Sequence, residues 1–537
     1  MVLSPREELL KIERDIFCRN QKIIGDSIVI SEPGFQQYEK TYQRAVRRYQ
    51  SISSIETMLA AIGNADIIYV GDYHTCNQSQ RAFLRILKEV VRRKWPFIIG
   101  LELIHEKNQA AIDAYVSGKL SEKTFLKKVG LKKHWVFDLW ENFKPLFDFA
   151  IYHHAPLCGI DAAAKNASIQ KRDQAAAQVI ARLSKQHPDQ KIFVLIGDLH
   201  LAPQHLPADV RKECKKMEVE RRDLILYQNS EFIYWQLANQ GLEDSVEVVQ
   251  ISPREFCRMH TPPVICQRSY LNWLEHEEGE IDYADAKQSF LDLVERICKF
   301  LKIDLGAAKD KVEVFTSGDL SFLDVIESSE KFSVEEIKNI KRQILLSESY
   351  YIAKTHTVYL ANLSMNHAGE EAAHFIKHSC SGIEKARGLA DAFYANILHE
   401  ALGFFGSKII NHKRKCFHEK DFEKHLHYFQ NVRVSKERRL EYETALLVNE
   451  YKRAEHRGEA LVPSGVFEKN YDLFFAVTHA LGYMLGDRLY YGLLGGEIYK
   501  SDLRNLFHDP WRGVGKPFQI YWQWVQKLRR VRIPKRM

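Results

Sequence analysis

At 537 residues, with 45% hydrophobic and 27% charged side chains, the chain has the make-up of an ordinary globular protein of two or three domains. Its formal charge of +7 is mild for this length and gives no argument for a nucleic-acid partner. Nine scattered cysteines without a Cys-x-x-Cys pair fit a reducing compartment rather than a disulfide framework, and no stretch reaches the roughly 18 uncharged apolar residues of a membrane span.

Residues 1–60 read as a helical lead-in rich in Arg and Glu, and the first 26 residues lack the apolar core of a secretory signal, which predicts a cytoplasmic protein. From about residue 65 strand-like and helical patterns alternate. Apolar runs at 67–70, 97–101, 156–160 and 192–196 predict strands. Between them, Phe83, Leu84, Leu87, Val90 and Val91 in 79–93 have helical spacing, as do Ala176, Val179, Ile180 and Leu183 in 170–184. Two further strands are predicted at 224–227 and 246–251. The expected fold over 61–275 is therefore an α/β domain on a mainly parallel sheet of about six strands, flanked by helices. Residues 276–537 predict a mainly α-helical domain, with one strand at 312–315 and helical patterns over 333–353, 367–380, 385–406 and 437–457. Ser333-Val334-Glu335-Glu336 has the form of a capping box.

The chemistry-bearing residues sit where these strands end. Ile67-Ile68-Tyr69-Val70 runs into Gly71-Asp72-Tyr73-His74, and Phe193-Val194-Leu195-Ile196 into Gly197-Asp198-Leu199-His200. Glu102 follows the run 97–101, and Asp161 follows 156–160. Parallel strands carry all four endings to one sheet edge, where open α/β sheets bind ligands. Two imidazoles and a carboxylate, His74, Glu102 and His200, are a standard set for a divalent metal (Zn, Mn or Co), which would lower the pKa of a bound water towards ~7. Without metal the same residues make a general base oriented by a carboxylate, with Asp72 or Asp198 behind the imidazoles. A single Gly-Asp-x-His is explained by ordinary turn chemistry; two copies with an acid between them point to a site.

The same residues carry a resemblance. Val70-Gly71-Asp72-Tyr73-His74 with Arg81, Gly100-Leu101-Glu102, Trp135-Val136-Phe137-Asp138, Lys171-Arg172-Asp173 and Leu195-Ile196-Gly197-Asp198-Leu199-His200-Leu201 resemble the ChaN-like haem-binding uptake family over about 65–270. That family belongs with the Tiki/TraB proteins and the erythromycin esterases, whose hallmark is a pair of GxxH motifs with an acid between them. The resemblance implies His74, Glu102 and His200 as the site. It also implies either hydrolysis of a peptide, ester or amide, as in the Tiki-like proteases and the esterases, or haem binding, as in ChaN. Tyr73 is the positional candidate for a haem-ligating tyrosine. The first motif departs from the commoner pattern in having Asp72 where Glu usually follows the glycine.

Other residues have two readings each. Arg81 and Arg172 would clamp an anionic group of a ligand, or bridge to Asp72 or Asp198. The aromatic residues Trp135, Phe137, Trp140, Phe143, Phe147 and Phe149 read first as core. Glu371-x-x-His374, with Glu370, His378, His399-Glu400, His367, His412 and His418, is an unusual accumulation of potential ligands, although helical histidines are mostly structural. Phe518, Tyr521, Trp522, Val525 and Leu528, followed by basic residues, fit either a peripheral contact at the inner membrane face or a docked terminal helix. A third functional reading is a non-enzymatic scaffold whose helical half binds a partner.

Overall fold

The apolar runs become strands because alternate residues have buried surfaces on both sides. Ile68, Val70, Phe193 and Leu195 enter one core, and Ile67, Tyr69, Val194 and Ile196 the other. The computed structural model describes the whole chain apart from residues 1–2, 28–32, 132–138, 163–166, 278–282, 317–318, 346–348, 362–363, 431–433, 437, 460, 464 and 535–537. Its contacts form two units, one from Glu13 to Glu280 and one from Ile281 to Pro534 joined by Met1–Ile12.

The first unit is built on an eight-stranded sheet of β1 (Ser51–Ser53), β2 (Ile67–Asp72), β3 (Phe97–His105), β4 (Leu157–Asp161), β5 (Lys191–Gly197), β6 (Asp223–Gln228), β7 (Val248–Ser252) and β8 (Glu255–Arg258). The strand order is β1-β7-β8-β6-β2-β5-β3-β4. The run from β8 to β4 is parallel throughout, and β7 is antiparallel to both its neighbours. Helices Ile55–Asn64, Asn77–Arg92 and Trp140–His153 cover one face, and Ile169–Gln186, Leu206–Lys216 and Glu231–Asn239 the other. Trp140, Phe143, Phe147 and Phe149 are core residues of the first face; Trp135 and Phe137 lie outside the described residues.

The sheet has eight strands where about six were expected. The additions are the short strands β1 and β8. β1 is a polar three-residue edge strand, and β8 is a four-residue strand following the turn at Pro253-Arg254. Neither has an apolar run long enough to register as a strand by pattern. β3 is also longer than its run and continues through Glu102 to His105, so Glu102 lies within the strand rather than after it. The β3–β4 register shifts between Leu101 and His105, which marks a bulge or irregularity beside Glu102.

The second unit is mainly helical. Its long helices are Met365–Ser381, Leu389–Ile410, Arg439–Arg457 and Tyr471–Gly495, and it holds a three-stranded sheet of β9 (Glu313–Thr316), β10 (Tyr350–Ile352) and β11 (Thr357–Leu360). The capping box is present: Ser333 N–H donates to Glu336 Oε2 at 2.8 Å, and Glu336 N–H to Ser333 Oγ at 3.3 Å. The helix it starts runs Val334–Leu345, short of the expected 353, because Tyr350-Tyr351-Ile352 pairs with the Thr-Val-Tyr of β11. Helix Lys516–Lys527 turns Ile520, Tyr521, Trp524 and Val525 into this unit's core, so its apolar face is already used. Among the described residues, no helix is long and apolar enough to cross a membrane.

Candidate functional site

Strands β2, β5, β3 and β4 are consecutive neighbours, which is why residues far apart in sequence meet at their C-terminal ends. Asp72 pairs in register with Gly197. His74 follows β2, and His200 lies on the 3-10 turn Asp198–Leu201 that follows β5. Both imidazoles turn Nε2 towards Glu102, at 3.8 Å for His74 and 3.5 Å for His200. Each has its Nδ1 against a carboxylate. His74 Nδ1 is 2.7 Å from Asp72 Oδ2, and His200 Nδ1 is 2.5 Å from Asp173 Oδ1. Glu102 accepts from Gly197 N–H at 2.7 Å and from Arg172 Nη2 at 2.6 Å. Gly197 lies among the three: a Cβ built there would meet His74 Nε2 at 3.4 Å, Glu102 Oε2 at 3.5 Å and His200 Cδ2 at 3.5 Å.

Burial makes these charges strongly interdependent. Asp72, Glu102, Asp173 and His200 are all buried, while the His74 side chain keeps 21% of its surface exposed. Burial would raise the Glu102 pKa, but the Arg172 guanidinium, then His200 and His74, hold it well below the usual carboxylate range. Burial would lower the His200 pKa, but Glu102 and Asp173 outweigh it and push it up to about 9. For His74 the hydrogen bond and charge of Asp72, with Glu102, likewise overcome desolvation and raise the pKa. At neutral pH the centre is therefore a Glu102 carboxylate beside a His200 imidazolium.

The residues expected from sequence separate into two groups. His74, Glu102, His200 and Asp72 converge, and Arg172 joins them through Glu102 rather than through Asp72 or Asp198. Asp161 stands at the margin, 3.8 Å from Arg172 Nη2. Asp198 does not back His200: the 3-10 turn carries its carboxyl beneath Gly71, where a Cβ on Gly71 would overlap it, and Asp173 takes the place on Nδ1. Burial, then the neighbouring Asp72, push the Asp198 pKa up to about 7. Arg81 is exposed; the preceding residue, Gln80, is buried and donates to Asp72 Oδ1 at 2.5 Å. The hydroxyl of Tyr38 donates to Asp173, and the Tyr38 ring stacks on His205. Gln80 and Tyr38 carry no motif signal, and Asp173 stands out in the sequence only within the family-like Lys171-Arg172-Asp173, one residue past the arginine that holds Glu102.

The donor chemistry tests the two implied cofactors. Among the described residues, the one group of three or more ligand atoms within 4.8 Å of one another is Cys416, His418 and Asp487, so His74, Glu102 and His200 do not gather as a metal's ligand set. A guanidinium already stands on Glu102, where a metal's charge would lie. The residues as they stand do not fit a divalent metal. Haem iron needs an axial donor turned outwards. Both Nε2 atoms turn onto Glu102, so neither imidazole is turned outwards as an axial donor, and burial pushes the Tyr73 pKa well above its ordinary value. In the helical half, His399 Nε2 lies 2.9 Å from Glu384, and His479, outside the expected accumulation, has its Nδ1 2.9 Å from Glu400.

No curated protein matches the chain. A solved structure described as cofacial heme binding to ChaN of Campylobacter jejuni is 11% identical, with 33% of this chain and 87% of that chain covered and a TM-score of 0.24. Residues 58–170 match the family model for haem-binding uptake proteins of the Tiki superfamily, ChaN. This stretch contains the first Gly-Asp-x-His, Glu102 and Asp161, and over residues 58–170 the chain is similar to the ChaN-like proteins of the Tiki superfamily.

Proposed function

We propose that the first unit is a hydrolase of carboxylic acid derivatives, an ester, amide or peptide, working by acid–base chemistry. The observation that carries this reading is the pair of carboxylate-backed imidazoles, His74 on Asp72 and His200 on Asp173, facing Glu102 around Gly197. An Nδ1–H held by a carboxylate fixes the tautomer that leaves Nε2 as the base. His74, the more exposed of the two, takes a proton from water at Nε2 as the water oxygen bonds to the acyl carbon. The carbonyl oxygen gains the electron pair, and the charge is stabilised by His200 imidazolium and Arg172. Collapse of the adduct breaks the bond to the leaving group, which receives the proton from His74. Glu102 holds both cations in place and keeps the His200 pKa high.

The test is turnover of a panel of aryl esters, amides and short peptides by the full chain, in the presence of a chelator, beside His74→Ala and Glu102→Gln. Each variant is expected to lose about 10²–10⁴-fold in kcat/KM, the range for an oriented acid or base. A wild-type chain that turns over nothing on the panel removes the reading.

A second reading, haem binding, is favoured by the description of the family that residues 58–170 match. In it the half-buried Tyr73 and His74 of the first motif are the candidate donors. Titration with haemin separates the two: a Soret band lost in Tyr73→Phe or His74→Ala supports haem, and an unchanged haemin spectrum removes it.

A further inference from the structure

The helical unit holds a second cluster that the hydrolytic reading does not use. Helix Leu389–Ile410 is followed by an irregular segment, 411–418, that carries Cys416 and His418. Opposite them Asp487, in the middle of helix Tyr471–Gly495, is fully buried. One ligand atom from each of the three lies within 4.8 Å of the other two. His418 Nε2 is 3.2 Å from Asp487 Oδ2 and 3.9 Å from Cys416 Sγ.

A carboxylate inside a helix bundle is expensive to bury unless it is paired or coordinates a metal. Asp487 divides its two oxygens. Oδ1 is 3.1 Å from Lys408 Nζ, itself fully buried, and Oδ2 faces His418. Lys408 is held in turn by the Tyr491 hydroxyl at 3.1 Å and the Arg414 carbonyl at 3.3 Å. One carboxylate oxygen is thus fixed by a cation and the other aimed at an imidazole and a thiol, the arrangement that orients a metal-binding carboxylate.

We propose that Cys416 Sγ, His418 Nε2 and Asp487 Oδ2 form a binding site for a divalent transition metal of the zinc class, with Lys408 orienting the carboxylate. A thiolate, an imidazole and a carboxylate suit zinc, and three protein ligands leave a fourth position for water or substrate. The spacing agrees with tetrahedral coordination. Bonds of about 2.0–2.1 Å to nitrogen and oxygen and about 2.3 Å to sulfur put N and O about 3.3 Å apart and N and S about 3.6 Å apart. The observed 3.2 and 3.9 Å at His418 come near these values, and the carboxylate oxygen and the thiol lie within 4.8 Å of each other. Cys416 and His418 are half-buried, so an ion reaches them from solvent. Binding releases the thiol proton as the Sγ–metal bond forms.

The full chain is titrated with Co²⁺, read by its thiolate charge-transfer absorption, and then with Zn²⁺ in competition. Stoichiometric Co²⁺ uptake with that band is expected, displaced by Zn²⁺. Affinity is expected to fall by at least about tenfold in Cys416→Ser and in His418→Ala, and to be unchanged in Glu102→Gln. Cys416→Ser is the informative variant because its half-buried side chain is replaced by one of similar size, whereas loss of Asp487 strands buried Lys408. Absence of uptake, uptake without the thiolate band, or equal uptake by Cys416→Ser would overturn the proposal.

Discussion

Asp173 Oδ1 lies 2.5 Å from His200 Nδ1 across 27 residues of sequence, and the hydroxyl of Tyr38 donates to the other oxygen of the same carboxylate. Asp173 therefore sets the tautomer and, with Glu102, the charge of His200. In Asp173→Asn, His200 loses one of its two carboxylates, and its pKa, read by NMR of the imidazole, is expected to fall from about 9 towards the ordinary value of about 6.5. Asp198→Asn is expected to leave it nearly unchanged.

The same shift links stability to pH. The folded pKa of His200, about 9, lies above its unfolded value, so the group's contribution is fully present below about pH 6.5 and is lost as pH rises through 9. Denaturant unfolding between pH 6 and 10 is expected to show a stability loss on the alkaline side in wild type that is smaller in His200→Gln.

Gly197→Ala separates folding from chemistry. The glycine has φ −50° and ψ 138°, which alanine adopts without strain, and the new Cβ would make ordinary contacts of 3.4–3.5 Å with all three central side chains. Stability is expected to hold or to rise by up to about 1 kcal/mol, while hydrolysis falls because the methyl occupies the space between the imidazoles and Glu102. Thermal unfolding and kcat/KM measured together check this. Full activity in the variant would mean that the reacting atoms lie elsewhere.

Arg172→Met removes the nearest cation from the buried Glu102 carboxylate and leaves it Gly197 N–H and His200. Its cost is expected to be about 2–3 kcal/mol, less than the 3–5 of a fully buried pair because the Arg172 side chain is 31% exposed. Glu102 in wild type has a depressed pKa, so its contribution is present above the unfolded carboxylate value and lost as pH falls through the folded one. The difference between variant and wild type in urea unfolding is therefore expected to shrink in acid.

Much of this centre is legible from local pattern. Apolar runs ending in Gly-Asp-x-His mark β2 and β5, and parallel connection carries both ends to the edge where Glu102 lies. What pattern does not supply is which carboxylate meets which imidazole. In the first motif the local Asp72 backs His74, two residues away. In the second, the 3-10 turn carries Asp198 beneath Gly71, and helix Ile169–Gln186 delivers Asp173 instead. A helix advances about 100° per residue, so a one-residue error moves a side chain to another face; this is why Gln80 reaches the site and exposed Arg81 does not. The short strands β1 and β8 are fixed by pairing with neighbours rather than by their own apolar content.

The most direct measurement is kcat/KM on the ester, amide and peptide panel for wild type and His74→Ala, with chelator present throughout. Turnover by wild type that is insensitive to chelator and falls at least about 10²-fold in the variant is the expected result. Equal rates in the two proteins, or a wild type that hydrolyses nothing while binding haemin with a Soret band, would contradict an acid–base site built on His74, Glu102 and His200.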